Sequence, residues 1–342
     1  YSNDTLLATN TSTDKIYDLA LIDGSIELST PFIVKDGTYV EEYWTTVQNS
    51  AYSVSMKPTK VVFEVTKSNG EVHTITNDHL IEPNVFWEGN FYDYDILVGP
   101  NYGNYTNLVE AINNAQDQSS ILVLPGVYDG ILTINKNLTI YGLDKENTII
   151  TTTTAPVMRT VPNQYGANPV IYIENGSLSL SNITVTSNIS QYNAIDGITV
   201  NNGNLTLDQV IITNIENSEG YNGMQYGRAI TAYGISNVNI ANTHVNNFNK
   251  NGAHFVGTGV TANISNSTFI GSGINENAAA QNGVVYMDGA SGSISNSVFS
   301  NFQYHDTQVA ESYGILLYNT DAGNVQISNN NIFNNCDQNY SN

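Results

Sequence analysis

Through the last 165 residues the chain repeats one phrase of apolar and polar positions: two apolar residues two apart, a polar turn usually holding Asn, then another apolar residue. It reads Leu178-x-Leu180-x-Asn182-x-x-Val185, then Leu205-x-Leu207-x-Gln209-x-x-Ile212, then Val238-x-Ile240-x-Asn242-x-x-Val245. It returns as Ala262-x-Ile264-x-Asn266-x-x-Phe269, Gly292-x-Ile294-x-Asn296-x-x-Phe299 and Val325-x-Ile327-x-Asn329-x-x-Ile332. A spacing of two puts both apolar side chains on one face of a strand, and Asn tolerates the left-handed backbone angles that an immediate turn needs. The central polar residues lie 27, 33, 24, 30 and 33 residues apart, the range for one supersecondary unit per repeat with loops of variable length.

A further apolar strand precedes each phrase, at Val170 to Ile173, Gly197 to Val200, Ala229 to Ala232, His254 to Val256, Val284 to Met287 and Ile315 to Tyr318. Three short strands per repeat, all turning the same way, describe the coils of a parallel β-helix, a solenoid in which each strand pairs with its counterparts above and below. An antiparallel sandwich would also carry many short strands between Asn and Gly turns, but a sandwich does not repeat its phrase. No proline follows Pro169, as suits strands that donate to ladders on both sides. The central Asn side chains are expected to stack into a hydrogen-bonded ladder.

Residues 104–150 read differently. The segment TNLVEAINNAQ places Leu108, Val109, Ile112 and Ala115 on one helix face behind a Thr106 cap. The strands ILVLPGVY, from Ile121, and ILTINKNLTIYGLDKENTII, from Ile131, follow. The open end of a coil would expose its core and its strand edges, so a short amphipathic helix there predicts a cap. This order of helix, LVLPGVY, INKNLTIYG and KENTII resembles the N-terminal unit of the pectin lyase-like superfamily, with similar openings in pectin methylesterases and in adhesin-like surface proteins of methanogenic archaea. The resemblance implies an all-β, right-handed parallel β-helix over residues 104–342, with its cap at 104–150. It implies no particular chemistry, because this superfold hosts lyases, hydrolases, esterases, tail spikes and non-catalytic adhesins.

Residues 1–103 lack the repeat and hold both tryptophans, Trp44 and Trp87. Alternation over Lys60 to Thr66 and Glu71 to Ile75, joined by Ser68-Asn69-Gly70, predicts a β-hairpin, and the segment is expected to be a small β-sandwich-like domain. The net charge of −21 is spread over both parts, with 15 acidic residues before residue 104 and 16 after it. Such a surface argues against nucleic acid or anionic lipid as partner, and against a polyanionic substrate unless a cation bridges the two. The single Cys336 excludes an intrachain disulfide. No stretch approaches the ~18 apolar residues of a membrane span. The chain opens at Tyr1, which suggests a processed or truncated form.

Catalytic patterns are sparse. After residue 150 the only Lys or Arg are Arg159, Arg228 and Lys250, few for a lyase that must abstract a proton beside a carboxylate. Asn319-Thr320-Asp321 matches one polygalacturonase motif in letters, but there is no Asp-Asp pair for the acid and base of hydrolysis, so Asp321 is read as an Asx-type turn. His73 and His79 flank Asp78 without zinc spacing. Asp93-Tyr94-Asp95 could hold Ca²⁺ but matches no specific motif; no cofactor and no metal site are expected.

The remaining signal is in the loops. Those at 158–168, 217–227 and 301–311 precede the first strand of the next coil and should emerge from one edge, bringing Arg159, Tyr165, Glu219, Tyr221, Tyr226, Arg228, Tyr304, His305 and Asp306 to a rim. Tyrosines beside charges on such a rim suit carbohydrate or a protein neighbour. Of eleven Asn-x-Ser/Thr sequons, Asn3, Asn10, Asn104 and Asn188 are the candidate glycosylation sites, whereas Asn182 and Asn266 hold turn positions. A clean solenoid without catalytic sets predicts a non-enzymatic, glycosylated, extracellular cell-surface protein: an adhesin-like, S-layer or filament-type structural component. Its expected partners are its own copies, neighbouring surface proteins, or glycan. The alternative is a polysaccharide lyase or hydrolase, or a tail-spike depolymerase, using the loop rim.

Overall fold

The computed structural model describes residues 19–22, 25–28, 61–66, 72–77, 94–100, 104–154, 157–162, 166–187, 195–215, 225–274, 280–305 and 310–341. The chain divides into two compact units, Tyr1–Asp95 and Ile96–Asn342. In the first, Val61–Thr66 pairs antiparallel with Val72–Asn77, the hairpin expected around Ser68-Asn69-Gly70. A second antiparallel pair joins Leu19–Ile22 to Ser25–Leu28.

The second unit is a parallel β-helix of three sheets with eight, nine and eight strands. The first sheet takes the strands that precede each phrase, among them Pro169–Glu174, Asp196–Asn201, Arg228–Tyr233, Asn251–Val256, Asn282–Met287 and Tyr313–Tyr318. The second takes the paired apolar positions, so that Leu180, Leu207, Ile240, Ile264, Ile294 and Ile327 stand in register from coil to coil. The third carries the closing apolar residue, and there Val185, Ile212, Val245, Phe269, Phe299 and Phe333 align. Stacking is close where that column turns aromatic: Phe269 and Phe299 centroids are 5.4 Å apart, Phe299 and Phe333 5.2 Å. Large side chains face small ones across the core. Tyr286 is fully buried and its hydroxyl donates to the Ala262 carbonyl at 2.7 Å, beside Ala262 and Gly292, whose aligned positions in earlier coils hold Leu205 and Val238.

The corners explain the Asn content. Asn182, Gln209, Asn242, Asn266 and Asn296 have φ from 48° to 56°, the left-handed region that Asn enters more cheaply than other non-Gly residues. A second column of left-handed residues, Asn175, Asn202, Gly234, Gly257, Asp288 and Asn319, sits between the first and second sheets. A third holds Asn214, Asn247, Asn301 and Asn335. Side-chain bonds link the second and third columns along the axis: the Asn319 amide donates to Asp288 at 2.8 Å and the Asn335 amide to Asn301 at 3.3 Å. In the first column, where the ladder was expected, the Asn182 and Asn242 amides bond the Gly142 carbonyl and Asp208 instead. Asn329 departs from the expected pattern and is not left-handed. Its coil holds one more residue between the aligned strands, since Ile294 pairs with Ile327 but Val298 with Ile332. Asn331 instead bonds the coil beneath, accepting from the Ser297 amide at 2.9 Å.

Coil pairing starts ahead of the helix, with Ile96–Val98 parallel to Ser120–Val123. Helix α1, Leu108–Asn114, buries Leu108, Ala111 and Ile112 in the same core. Its cap is Asn107 rather than Thr106: the Asn107 side-chain oxygen accepts from the Glu110 amide at 3.0 Å. The other end of the helix is held by Lys136, whose ammonium donates to the carbonyls of Ile112, Asn113 and Ala115, a favourable place for a cation because the last helical carbonyls lack partners. Asp321 begins a one-turn 3₁₀ helix, Ala322–Asn324, without the side-chain bond of an Asx turn.

Candidate functional site

The first sheet is the one into which the long loops return. Its outward positions, which on a solvated sheet would be wet, are buried: Tyr172 is 3 % exposed, Thr199 and Thr231 0 %, and His254 3 %. These four occupy one row, since Tyr172 aligns with Thr199, Thr199 with Thr231 and Thr231 with His254. The described parts of the segment ahead of Pro169–Glu174, 157–162 and 166–168, pack against this sheet beside the row. They fold back on each other through paired backbone bonds between Arg159 and Ala167, and Val161 and Ala167 pack with Tyr233 and Val256.

Arg228 was expected on the rim, and the structure corrects this. It is 1 % exposed, and its Nε donates to Asp196 Oδ1 at 3.0 Å and its Nη2 to Asp196 Oδ2 at 3.1 Å. Nη2 also donates to the Gly166 carbonyl, while Asp196 accepts the backbone amides of Asn168 and Arg228. The pair therefore fastens the foot of the 157–168 loop to the coils beside it, and neither charge faces solvent. Similar side-chain ties hold later loops. Gln281 accepts from the Ser272 amide and donates to the Phe248 carbonyl, and Asp337 accepts the amides of Tyr304 and Ser312.

Arg159 does reach the edge of the face. Its guanidinium sits 4.4 Å over the Tyr172 ring, whose hydroxyl donates to Glu174 at 3.2 Å and accepts from the Asn201 amide at 3.2 Å. Glu174 and Asn201 are half-buried, and Tyr233 completes the cluster from the next coil. Burial raises the Tyr233 hydroxyl pKa above its ordinary value, with the Tyr172 hydrogen bond adding to it. Tyr226 is half-buried at the foot of its loop. The Tyr304 and His305 rings touch at a tilt of 54°, centroids 4.3 Å apart, but their loop feeds a strand five places along the sheet from Pro169–Glu174, roughly 24 Å away at ~4.8 Å per strand. Of the expected rim residues that are described, Arg159 and the Tyr304–His305 pair thus do not converge. Tyr165, Glu219, Tyr221 and Asp306 lie outside the described residues, as do Asp93 and the sequons Asn3, Asn10 and Asn188. Asn104 is exposed and its side-chain oxygen accepts from the Leu97 amide at 2.8 Å; the Asn182 amide is engaged by the Gly142 carbonyl.

Sequence reasoning missed Tyr172, Glu174, Thr199, Asn201, Thr231 and His254. The available signal was period two: on strands whose ranges the sequence already gives, or one residue past them, these residues alternate with the apolar ones that face the core. Three of their polar atoms, Thr199 Oγ1, Thr231 Oγ1 and His254 Nδ1, are buried without a hydrogen-bond partner. Desolvation, with the Arg228 and Lys250 charges nearby, pulls the His254 pKa down to about 3, so the ring is neutral. Burial likewise lowers Lys250 to about 8, and its ammonium donates to the Ala280 carbonyl at 2.6 Å. Among the described residues no three His, Cys, Asp or Glu converge as a metal ion requires.

An unpartnered buried hydroxyl costs about 1–3 kcal/mol, so Thr231→Val, which replaces it with a methyl of equal shape, is expected to raise stability by about 1 kcal/mol in urea denaturation. A loss of stability would show instead that buried water satisfies the row.

No family model and no curated protein matches this sequence. Among solved structures the chain is similar to the pectin methylesterase PemA from Erwinia chrysanthemi, at 14 % identity and a TM-score of 0.41 over 65 % of this chain and 70 % of that one. It is similar also to pectate lyase Pel9A, at 15 % identity and 0.44 over 72 % and 78 %. A third is an alginate lyase from Paenibacillus, at 13 % and 0.37 over 68 % and 96 %. At these values the likeness transfers no residue role to this chain.

Proposed function

We propose that this protein is an extracellular, cell-surface β-helix of the adhesin-like, S-layer or filament type, which binds glycan on the loop-bearing face of its first sheet and does not cleave it. The supporting observation is the use made of the ionisable groups there. A cleaving site needs an acid and a base free to exchange protons with the substrate. Here Asp196 and Arg228 neutralise each other in the dry foot of a loop, and His254 is buried and neutral. The edge keeps stacking and hydrogen-bonding groups: Arg159 on Tyr172, Glu174 and Asn201. Eight strands in the first sheet give a coil of roughly 34 Å at ~4.8 Å per interval, a rigid spacer that neighbouring copies or surface proteins would flank. Among the described residues no helix is long and apolar enough to cross a membrane.

The test is a panel of polysaccharides scored for both retention and products. Binding without new reducing or unsaturated ends is the expected result. Product release that disappears in Glu174→Gln would overturn the proposal in favour of a polysaccharide-cleaving enzyme, because Glu174 is the half-buried carboxylate of the edge cluster.

A further inference from the structure

Resting on that reading, we infer that the glycan bound at the Arg159–Tyr172–Glu174–Asn201 edge is a neutral polysaccharide and not a polyuronate. Holding a uronate carboxylate takes a guanidinium or ammonium free to form charge-assisted bonds, and the coil unit has five such side chains: Lys136, Lys145, Arg159, Arg228 and Lys250. Three have other work, and Lys145 sits between Asn137–Gly142 of the second sheet and Thr148–Thr151 of the third, away from the first sheet. Lys136 caps α1, Arg228 is locked to Asp196, and Lys250 is bound to the Ala280 carbonyl. The fifth, Arg159, stacks on the ring whose hydroxyl donates to Glu174, so an incoming carboxylate would meet a carboxylate at the same edge.

The rest of the sequence deepens the bias. Residues 151–342 carry eleven carboxylates against three cations, and four of the eleven, Glu216, Glu219, Glu276 and Asp306, fall in loop residues outside the described ones, which hold no Lys or Arg. Approach of a polyanion is therefore opposed at long range. A neutral sugar brings vicinal hydroxyls that donate to a carboxylate and exchange bonds with an amide, the groups that Glu174 and Asn201 present.

The experiment measures binding of the full chain, at pH 7.5 with chelator, to mannan, galactan and β-glucan in one arm and to polygalacturonate and alginate in the other. The expected result is binding to a neutral polymer that changes less than about twofold with added salt and falls about tenfold in Asn201→Ala, as loss of one or two hydrogen bonds gives. Preferential binding of a polyuronate, steeply salt-dependent and lost in Arg159→Gln, would overturn this inference and leave glycan binding standing. Binding of neither class would overturn both. Neutral binding indifferent to Asn201→Ala would overturn the assignment to this edge.

Discussion

Replacing Arg228 with methionine should destabilise the coil unit by about 3–5 kcal/mol, because it strands a buried carboxylate. Asp196 is 0 % exposed and would keep only the backbone amides of Asn168 and residue 228 as donors. The Gly166 carbonyl would also lose its guanidinium partner, so the 157–168 segment should become the first site of proteolysis. The double variant Asp196→Asn, Arg228→Met should recover part of the loss, since it removes the stranded charge but keeps an acceptor for only one of the two amides, which bond different oxygens of Asp196. Urea denaturation of wild type, single and double variants, with limited proteolysis, measures this. A single variant within about 0.5 kcal/mol of wild type, the usual range for an exposed position, would restore Arg228 to the solvent-facing rim. The same result governs functional work: activity or binding lost in an Arg228 variant reports on the loop's attachment before it reports on contact with a ligand.

The misplacement of Arg228 shows what the sequence carried and what it did not. The apolar phrase is local, and a spacing of two is enough to assign the inward face, so all six strands preceding the phrases lie where the pattern puts them. The partner of Arg228 is 32 residues away, and no periodicity within one coil points to it. Aligning the coils does: Asp196 stands two residues before Ile198, Arg228 two before Ile230, and Ile198 pairs with Ile230. Opposite charges at one register position of adjacent coils read as a cross-coil pair. The second column of left-handed residues was missed for a related reason, since Gly and Asp stand among the Asn in it and no single letter recurs; the third is all Asn but leaves a step of two coils between Asn247 and Asn301. The last coil shows the limit of the phrase itself: Asn329 fits it in letters, yet one inserted residue moves the bonding role to Asn331.

Substituting His254 with leucine is expected to remove a large part of the protein's acid lability. Its folded pKa, down to about 3, lies well below the usual histidine value, so between about pH 6.5 and pH 3 the unfolded chain binds a proton that the folded chain does not. Stability must then fall as pH falls through that window, by about 1.4 kcal/mol per unit, reaching about 3 kcal/mol from this one residue near pH 4. Hydrogen-bonded carboxylates lose stability in the same direction; Asp144, held low chiefly by the Asn147 amide, is one. The informative quantity is accordingly the difference between variant and wild type, not either curve alone. Leucine suits the site because the row continues as Val285 and Leu316, and it leaves no ring nitrogen without a partner. Denaturation midpoints from pH 7.5 to pH 4 should diverge steadily, with the variant the more stable at the acid end. Parallel curves would mean that His254 titrates at its ordinary value, and that water or a ligand already reaches the row beside the loop.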